Sequence, residues 1–127
     1  MKTILFVYGT LKRGMKNHAL LAGQSFLRTA RSEPGYRLLD LGRYPGLIED
    51  VCGGVAIEGE LWEADEPTLA KLDKFEDVPN LFQRRSVAIE SFVGEVQAYF
   101  YVDSSNGLDC GNSWPPAATH QGDKACS

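Results

Sequence analysis

The chain has 127 residues, close to the roughly 150 residues of an average domain, so one core is expected and two are excluded. Hydrophobic residues at 43% and charged residues at 24% are ordinary globular values and exclude a disordered or fibrous chain. Thirteen Lys and Arg against seventeen Asp and Glu leave a net charge of −4, which repels a polyanion and argues against a nucleic-acid partner.

The first element is the apolar run Thr3 to Tyr8, which has the length and continuity of a strand buried on both faces. It is far shorter than the about 20 residues of a membrane span, so no membrane partner is expected. After a glycine-containing loop, Lys16 to Leu21 suits a short helix, and Gln24 to Ala30 and Tyr36 to Leu41 suit strands separated by a turn at Gly35. Tyr44-Pro45-Gly46 reads as a second turn, its aromatic ring either lining a pocket or plugging the core. Gly54 to Trp62 alternates Val55, Ile57 and Leu61 against Glu58 and Glu60, the pattern of a half-buried strand with both glutamates outward.

Asp65 to Glu76 is the stronger helix: Asp65 can cap it, Glu66 and Pro67 suit its first turn, and Leu69, Leu72 and Phe75 recur at helical spacing. Val87 and Ile89 then share one strand parity, and Val96, Ala98, Phe100 and Val102 share another after a turn at Gly94. Composition shifts once, after about Val102, towards Ser, Asn, Gly, Pro and Ala. The chain therefore divides into a domain over 1–103 and a polar tail over 104–127 that straps the domain or stays partly disordered. Cys52, Cys110 and Cys126 are an odd number without short paired spacing, so no disulfide framework is indicated and a reducing cytoplasm fits.

Two sites could carry chemistry. At Tyr8-Gly9-Thr10-Leu11 a buried strand ends in a glycine turn, where successive N–H groups can converge on a carboxylate or an oxyanion, or the glycines can simply turn the chain. A phosphate loop is excluded, because Gly14 is followed by Met15 rather than by Lys and Ser or Thr. At about 100° per residue, Glu76 falls within about 40° of the Leu69–Leu72–Phe75 stripe, whereas the other charges of the segment point away. There its carboxyl would leave water and its pKa would rise towards neutrality, unless the helix ends a residue or two early and leaves it in solvent. His18 and His120 lie far apart with no third ligand at metal spacing, which disfavours zinc. No Gly-x-Ser-x-Gly elbow marks a covalent nucleophile. Arg84 and Arg85 fall on opposite faces of a strand, where one can pair inward with a carboxylate or both can be surface charges.

The ordered set Phe6-Val7-Tyr8-Gly9-Thr10-Leu11-Lys12-Arg13-Gly14, Asn17-His18, Tyr44-Pro45-Gly46, Gly59-Glu60-Leu61-Trp62, Leu72-Asp73-Lys74-Phe75-Glu76 and Phe82-Gln83-Arg84 resembles the γ-glutamylcyclotransferase superfamily, in particular its γ-glutamylamine cyclotransferase-like branch. Gly111 to Trp114 is similar to the closing segment of that family. The resemblance implies an α+β fold, a small mixed β-barrel with peripheral helices enclosing a cavity. It implies release of 5-oxoproline from a small-molecule γ-glutamyl amide without a cofactor. It also implies that the Tyr8, Gly9, Thr10 and Leu11 loop holds the γ-glutamyl group through backbone amides and that Glu76 is the general acid and base. Tyr44, Phe82 and Arg84 stand in the same motifs as candidate substrate contacts. Phe82 departs from the pattern, since relatives often carry Tyr there, and any hydrogen bond from that hydroxyl is absent. A non-catalytic binding module on the same scaffold is the competing reading. Against it, a binder would gain stability by losing a buried, unpaired carboxyl. The oligomeric state and the leaving amine stay open.

Overall fold

In a computed structural model, residues 2–103, 108–109 and 111–115 are described. Eight strands form one mixed sheet: β1 (Lys2–Val7), β2 (Ser25–Arg31), β3 (Tyr36–Asp40), β4 (Pro45–Glu49), β5 (Glu58–Asp65), β6 (Phe82–Ser86), β7 (Gln97–Tyr101) and β8 (Leu108–Asp109). The pairing order is β2-β5-β1-β7-β4-β3-β8, with β6 on β7. β1 and β4 run parallel to β7, and every other ladder is antiparallel. A 3-10 turn, His18–Leu21, and one helix, α1 (Glu66–Phe75), accompany the sheet. The ladders follow an open path from β2 to β8, and an isolated bridge between Ser32 and Ile89 ties the end of β2 to the segment after β6. No helix among the described residues is long and apolar enough to cross a membrane.

The sheet is packed on both faces, which explains why the central strand has no polar side. Phe6 and Tyr8 enter one apolar cluster with Leu38, Leu47, Ile57 and Phe100. Leu5 and Val7, of opposite parity, enter a second with Leu21, Trp62, Leu72 and Tyr99. β1 ends where the two clusters meet, so the loop that follows it is held against both.

Several elements differ from the sequence reading, each for a local reason. The helix expected over 16–21 is only the 3-10 turn. Pro45 and Gly46 begin β4 instead of forming a turn; the reversal comes earlier, where Leu41 N–H donates to Tyr44 O and Gly42 takes φ 101°. The strand expected from Gly54 starts at Glu58, because Asp50 folds the preceding segment by accepting from the Gly53 and Gly54 amides. Val55 is exposed, while Glu60 is buried: β5 lies between β2 and β1 and is covered on both faces, so alternation does not send this glutamate to solvent. Val87 and Ile89 are buried, but β6 ends before them at Ser86. In β7 both Tyr99 and its neighbours Ala98 and Phe100 are buried, and Val102 is exposed beyond the strand end. Within the tail, β8 pairs with β3, Asn112 O accepts from Glu58 N–H, and Trp114 packs on the first cluster.

Candidate active site

β1 delivers the chain into the loop from Tyr8 to Gly14. The carbonyls of Gly9, Thr10 and Leu11 are committed: Gly9 O accepts from Lys12 N–H at 3.1 Å, Thr10 O from Asn17 N–H at 3.0 Å and Leu11 O from His18 Nδ1 at 2.9 Å. The Asn17 side-chain amide also donates to Thr10 Oγ1 at 3.0 Å. By contrast, the amides of Gly9, Thr10 and Leu11 find no acceptor among the described residues. A loop with satisfied acceptors and surplus donors is an anion-receiving surface. Gly9 is required by close approach, since a Cβ there would stand 2.6 Å from Pro45 Cγ. The Tyr8 hydroxyl is fully used, donating to Tyr99 O at 2.6 Å and accepting from Leu47 N–H at 3.3 Å.

Glu76 comes from the far end of α1. Asp65 caps the start by accepting from Thr68 N–H, with proline in the first turn, and Leu69 and Leu72 bury the inner face. At the other end Asp77 takes φ 57°, Val78 N–H reaches back to Asp73 O and Asp77 N–H to Lys74 O, a Schellman closure with Asp in the left-handed position. The helix thus stops at Phe75, and Glu76 is its C-cap. Phe75, expected on the buried stripe, is 46% exposed because no further turn covers it. The early stop does not put Glu76 in bulk water. Its carboxyl has no hydrogen-bond or ion-pair partner among the described residues, and burial pushes its pKa up to about 7.

These two features share a cavity of about 110 Å³, lined by Tyr8, Gly9, Thr10 and Leu11 on one side and Glu76 on another, with Tyr44 and Phe82 between them. Phe82 is buried, with its ring centroid 6.1 Å from that of Tyr44 and 5.6 Å from that of Tyr101. Asn17, Phe75, Leu81 and Tyr99 also line it. Tyr99 was hidden from the sequence because it has the opposite strand parity to Ala98 and Phe100, and only a sheet covered on both faces buries it.

Arg84 takes one of the two places the sequence left open to it, pairing inward with a carboxylate. It is not part of the cavity lining, because its guanidinium is taken by a carboxylate: Nε and Nη2 each donate to Asp73 at 2.9 Å and Nη1 donates to Gln97 Oε1 at 2.7 Å. Asp73 also accepts from the Tyr99 hydroxyl at 2.7 Å. Elsewhere, Glu60 is enclosed by donors, from Trp62 Nε1 at 3.0 Å, Arg13 N–H at 3.0 Å and Arg13 Nε at 3.2 Å. Burial works to raise its pKa, but these hydrogen bonds together hold it below the usual carboxylate range. Lys12, whose ammonium donates to Trp114 O, lines a separate cleft with Glu58 and Glu60, and burial lowers its pKa. Among the described residues no group of three or more His, Cys, Asp or Glu side chains converges as a metal site.

A mixed sheet with one helix, whose first strand feeds an amide-rich loop facing a lone acid, defines a recognisable class of small α+β domain. Solved structures share the fold: an AIG2-like protein from mouse matches with a TM-score of 0.70 and 29% identity over 84% of this chain and 80% of that one. A uropathogenic E. coli-specific protein matches with a TM-score of 0.71 and 27% identity over 82% of each chain. The chain belongs to the family described as gamma-glutamyl cyclotransferase, AIG2-like, whose model matches residues 5–116. Among curated relatives, a Vibrio cholerae protein named "Putative gamma-glutamylcyclotransferase" is 41% identical over 82% of this chain and 86% of its own length. The human gamma-glutamylaminecyclotransferase is 36% identical over 68% of this chain and 61% of its own length. This is a family of enzymes.

Proposed function

We propose that this protein is a γ-glutamyl cyclotransferase that releases 5-oxoproline and a free amine from a γ-glutamyl amine, with Glu76 as general acid and base. One observation carries the reading: an unpartnered carboxyl with a pKa of about 7 faces the same cavity as three unused loop amides. The sheet, with α1 packed against it, is read as a partly closed barrel wrapped around the substrate.

The reaction is intramolecular. The α-amine of the γ-glutamyl group attacks its own γ-carbonyl carbon, the five-membered ring closes, and the bond to the leaving nitrogen breaks. Holding the substrate folded supplies much of the barrier reduction, because well-oriented intramolecular reactions reach effective molarities of about 10⁵ to 10⁸ M. No covalent intermediate with the protein is needed. What is needed is proton transfer: an α-ammonium with a pKa of roughly 8 must lose a proton before it attacks, and the departing amine must gain one. A carboxyl titrating near 7 does both in turn, whereas a solvated glutamate near 4.3 is a poor acid at neutral pH. The amides of Gly9, Thr10 and Leu11 receive either the substrate carboxylate or the oxyanion of the tetrahedral intermediate, and Asn17 fixes the loop that presents them.

The lining also favours an amine over an α-amino acid as leaving group. Among the described residues no Lys or Arg lines the cavity, so a second carboxylate beside the scissile bond would be desolvated without a cation from them. Tyr44 and Phe82 offer an apolar wall instead.

The test is incubation with γ-glutamyl-ε-lysine, other γ-glutamyl amines and γ-glutamyl-α-amino acids, followed by assay of 5-oxoproline. Turnover of the amines, lost in Glu76→Gln by about 10²- to 10⁴-fold, is the expected result. Ligand-induced thermal shifts without product from any substrate would establish the binding module instead.

A further inference from the structure

Asp73 lies three residues before Glu76, so the two acids are neighbours on the last turn of α1. The Asp73 carboxylate is gripped in a fork by Arg84 from β6, receives the Tyr99 hydroxyl from β7, and its backbone carbonyl closes the turn by accepting from Val78. Both side-chain partners are on the sheet, and Tyr99 spans the site: its carbonyl holds the Tyr8 hydroxyl, its ring lines the cavity and its own hydroxyl ends on Asp73. This network ties the helix end that carries Glu76 to the strand that steadies the amide loop.

We infer that Arg84 acts on Glu76 through Asp73: by pairing with that carboxylate it cancels a like charge one turn away, so that burial is left as the governing influence on Glu76. The inference rests on the functional reading above for what Glu76 does, not for how the pair acts on it. The other groups around Glu76 fit this. Tyr8, at the end of β1, and Tyr99, on β7, have hydroxyls already committed to protein acceptors, and burial, foremost, and then other influences including the Glu76 charge raise their pKa values. Tyr44 lines the cavity ahead of β4, and Lys74 and Asp77 on the helix exit are exposed. Among the described residues no cation is spent on Glu76, and burial is the cause of its raised pKa.

An anchor and a charge-canceller predict different things when the pair is split. Arg84→Met leaves Asp73 as an uncompensated anion beside Glu76, so the Glu76 titration moves up, on the order of one pH unit. Asp73→Asn removes the like charge and frees Arg84, so it moves down by a similar amount. Arg84→Lys, which keeps the cation, holds the wild-type position. If the network only holds the helix, both splits let water in and both move the titration down towards 4.5.

The experiment is a carboxyl-carbon NMR titration of glutamate-labelled protein, wild type and variants, with the acid limb of kcat/KM measured beside it. Opposite shifts from Arg84→Met and Asp73→Asn, with rescue by Arg84→Lys, are expected; shifts of the same sign, or none, overturn the inference. Arg84→Gln, which keeps donors for Asp73 without the charge, must also move upward and serves if Arg84→Met does not fold. The titration needs no substrate, so a wild type that makes no 5-oxoproline would overturn the functional reading and leave this one to be decided by NMR.

Discussion

Glu60 is buried and Glu76 half-buried, and their surroundings give the two glutamates opposite properties. Glu60 sits in β5 between neighbouring strands and collects three donors from Trp62 and Arg13, so it stays ionised. Glu76 caps a helix that stops at a cavity, collects none, and titrates near neutrality. Burial is the same kind of cost in both, and the donors decide which way the pKa moves. One acid is a structural brace and the other is free to exchange protons.

The contrast is broken most sharply by Glu76→Gln. Beyond the loss of turnover, this variant is expected to be more stable than wild type at pH 8 by about 2 to 3 kcal/mol, and equally stable at pH 4. The sign follows from a folded pKa of about 7 against 4.5: the unfolded chain releases its proton first, so wild-type stability falls as pH rises from 4.5 to 7. Denaturant unfolding at the two pH values checks it, and a variant that loses stability at pH 8 would refute the unpaired, buried carboxyl.

Glu60→Ala should act oppositely, costing about 2 kcal/mol at neutral pH by stranding the buried Trp62 N–H, without reaching the reacting atoms. Because the folded pKa of Glu60 is depressed, its contribution is present above the usual carboxylate pKa and is lost as pH falls through the lowered value. The gap between wild type and Glu60→Ala should therefore close in acid, where that between wild type and Glu76→Gln has already closed.

Gly9→Ala sharpens the loop side of the comparison. The added methyl meets the Pro45 ring, a rigid neighbour, so a loss of about 1 to 3 kcal/mol is expected, with a fall in kcat/KM as the amides shift. Thermal unfolding and 5-oxoproline release measure the two effects separately. Phe82→Tyr is the mildest change: it adds one hydroxyl beside Tyr44 and Tyr101 and should alter stability by less than about 1.5 kcal/mol, its readout being the relative rates with different leaving amines.

Much of the site was legible before any coordinates. The buried run of β1, the glycine turn after it and the capped helix follow from local patterns, since periodicity and capping are written in neighbouring residues; the place of Glu76 does not, because the helix stops at Phe75 and leaves that stripe residue exposed. Legibility failed where a second layer intervened. The alternation in β5 sent Glu60 outward, but Arg13 from the loop after β1 lies over it and, with Trp62, encloses its carboxylate. That an arginine of the Arg84-Arg85 pair could meet a carboxylate was legible, but not that the partner is Asp73, eleven positions before Arg84 and on another element. Tyr44-Pro45-Gly46 has turn composition, but its backbone pairs with β3 through Asp40 and Leu39, and local propensity yields to that ladder.

The chain alone determined the buried first strand, the glycine turn after it and the capped helix with an acid at its end, because propensity, capping and periodicity act over a few residues. Only the tertiary structure decided that the acid and the turn share one cavity, that the loop amides are left over while its carbonyls are not, and that Arg84 serves Asp73. Those outcomes depend on which donors and acceptors residues far apart in sequence bring to one another. That pairing is set by strand order and register, which no local pattern specifies.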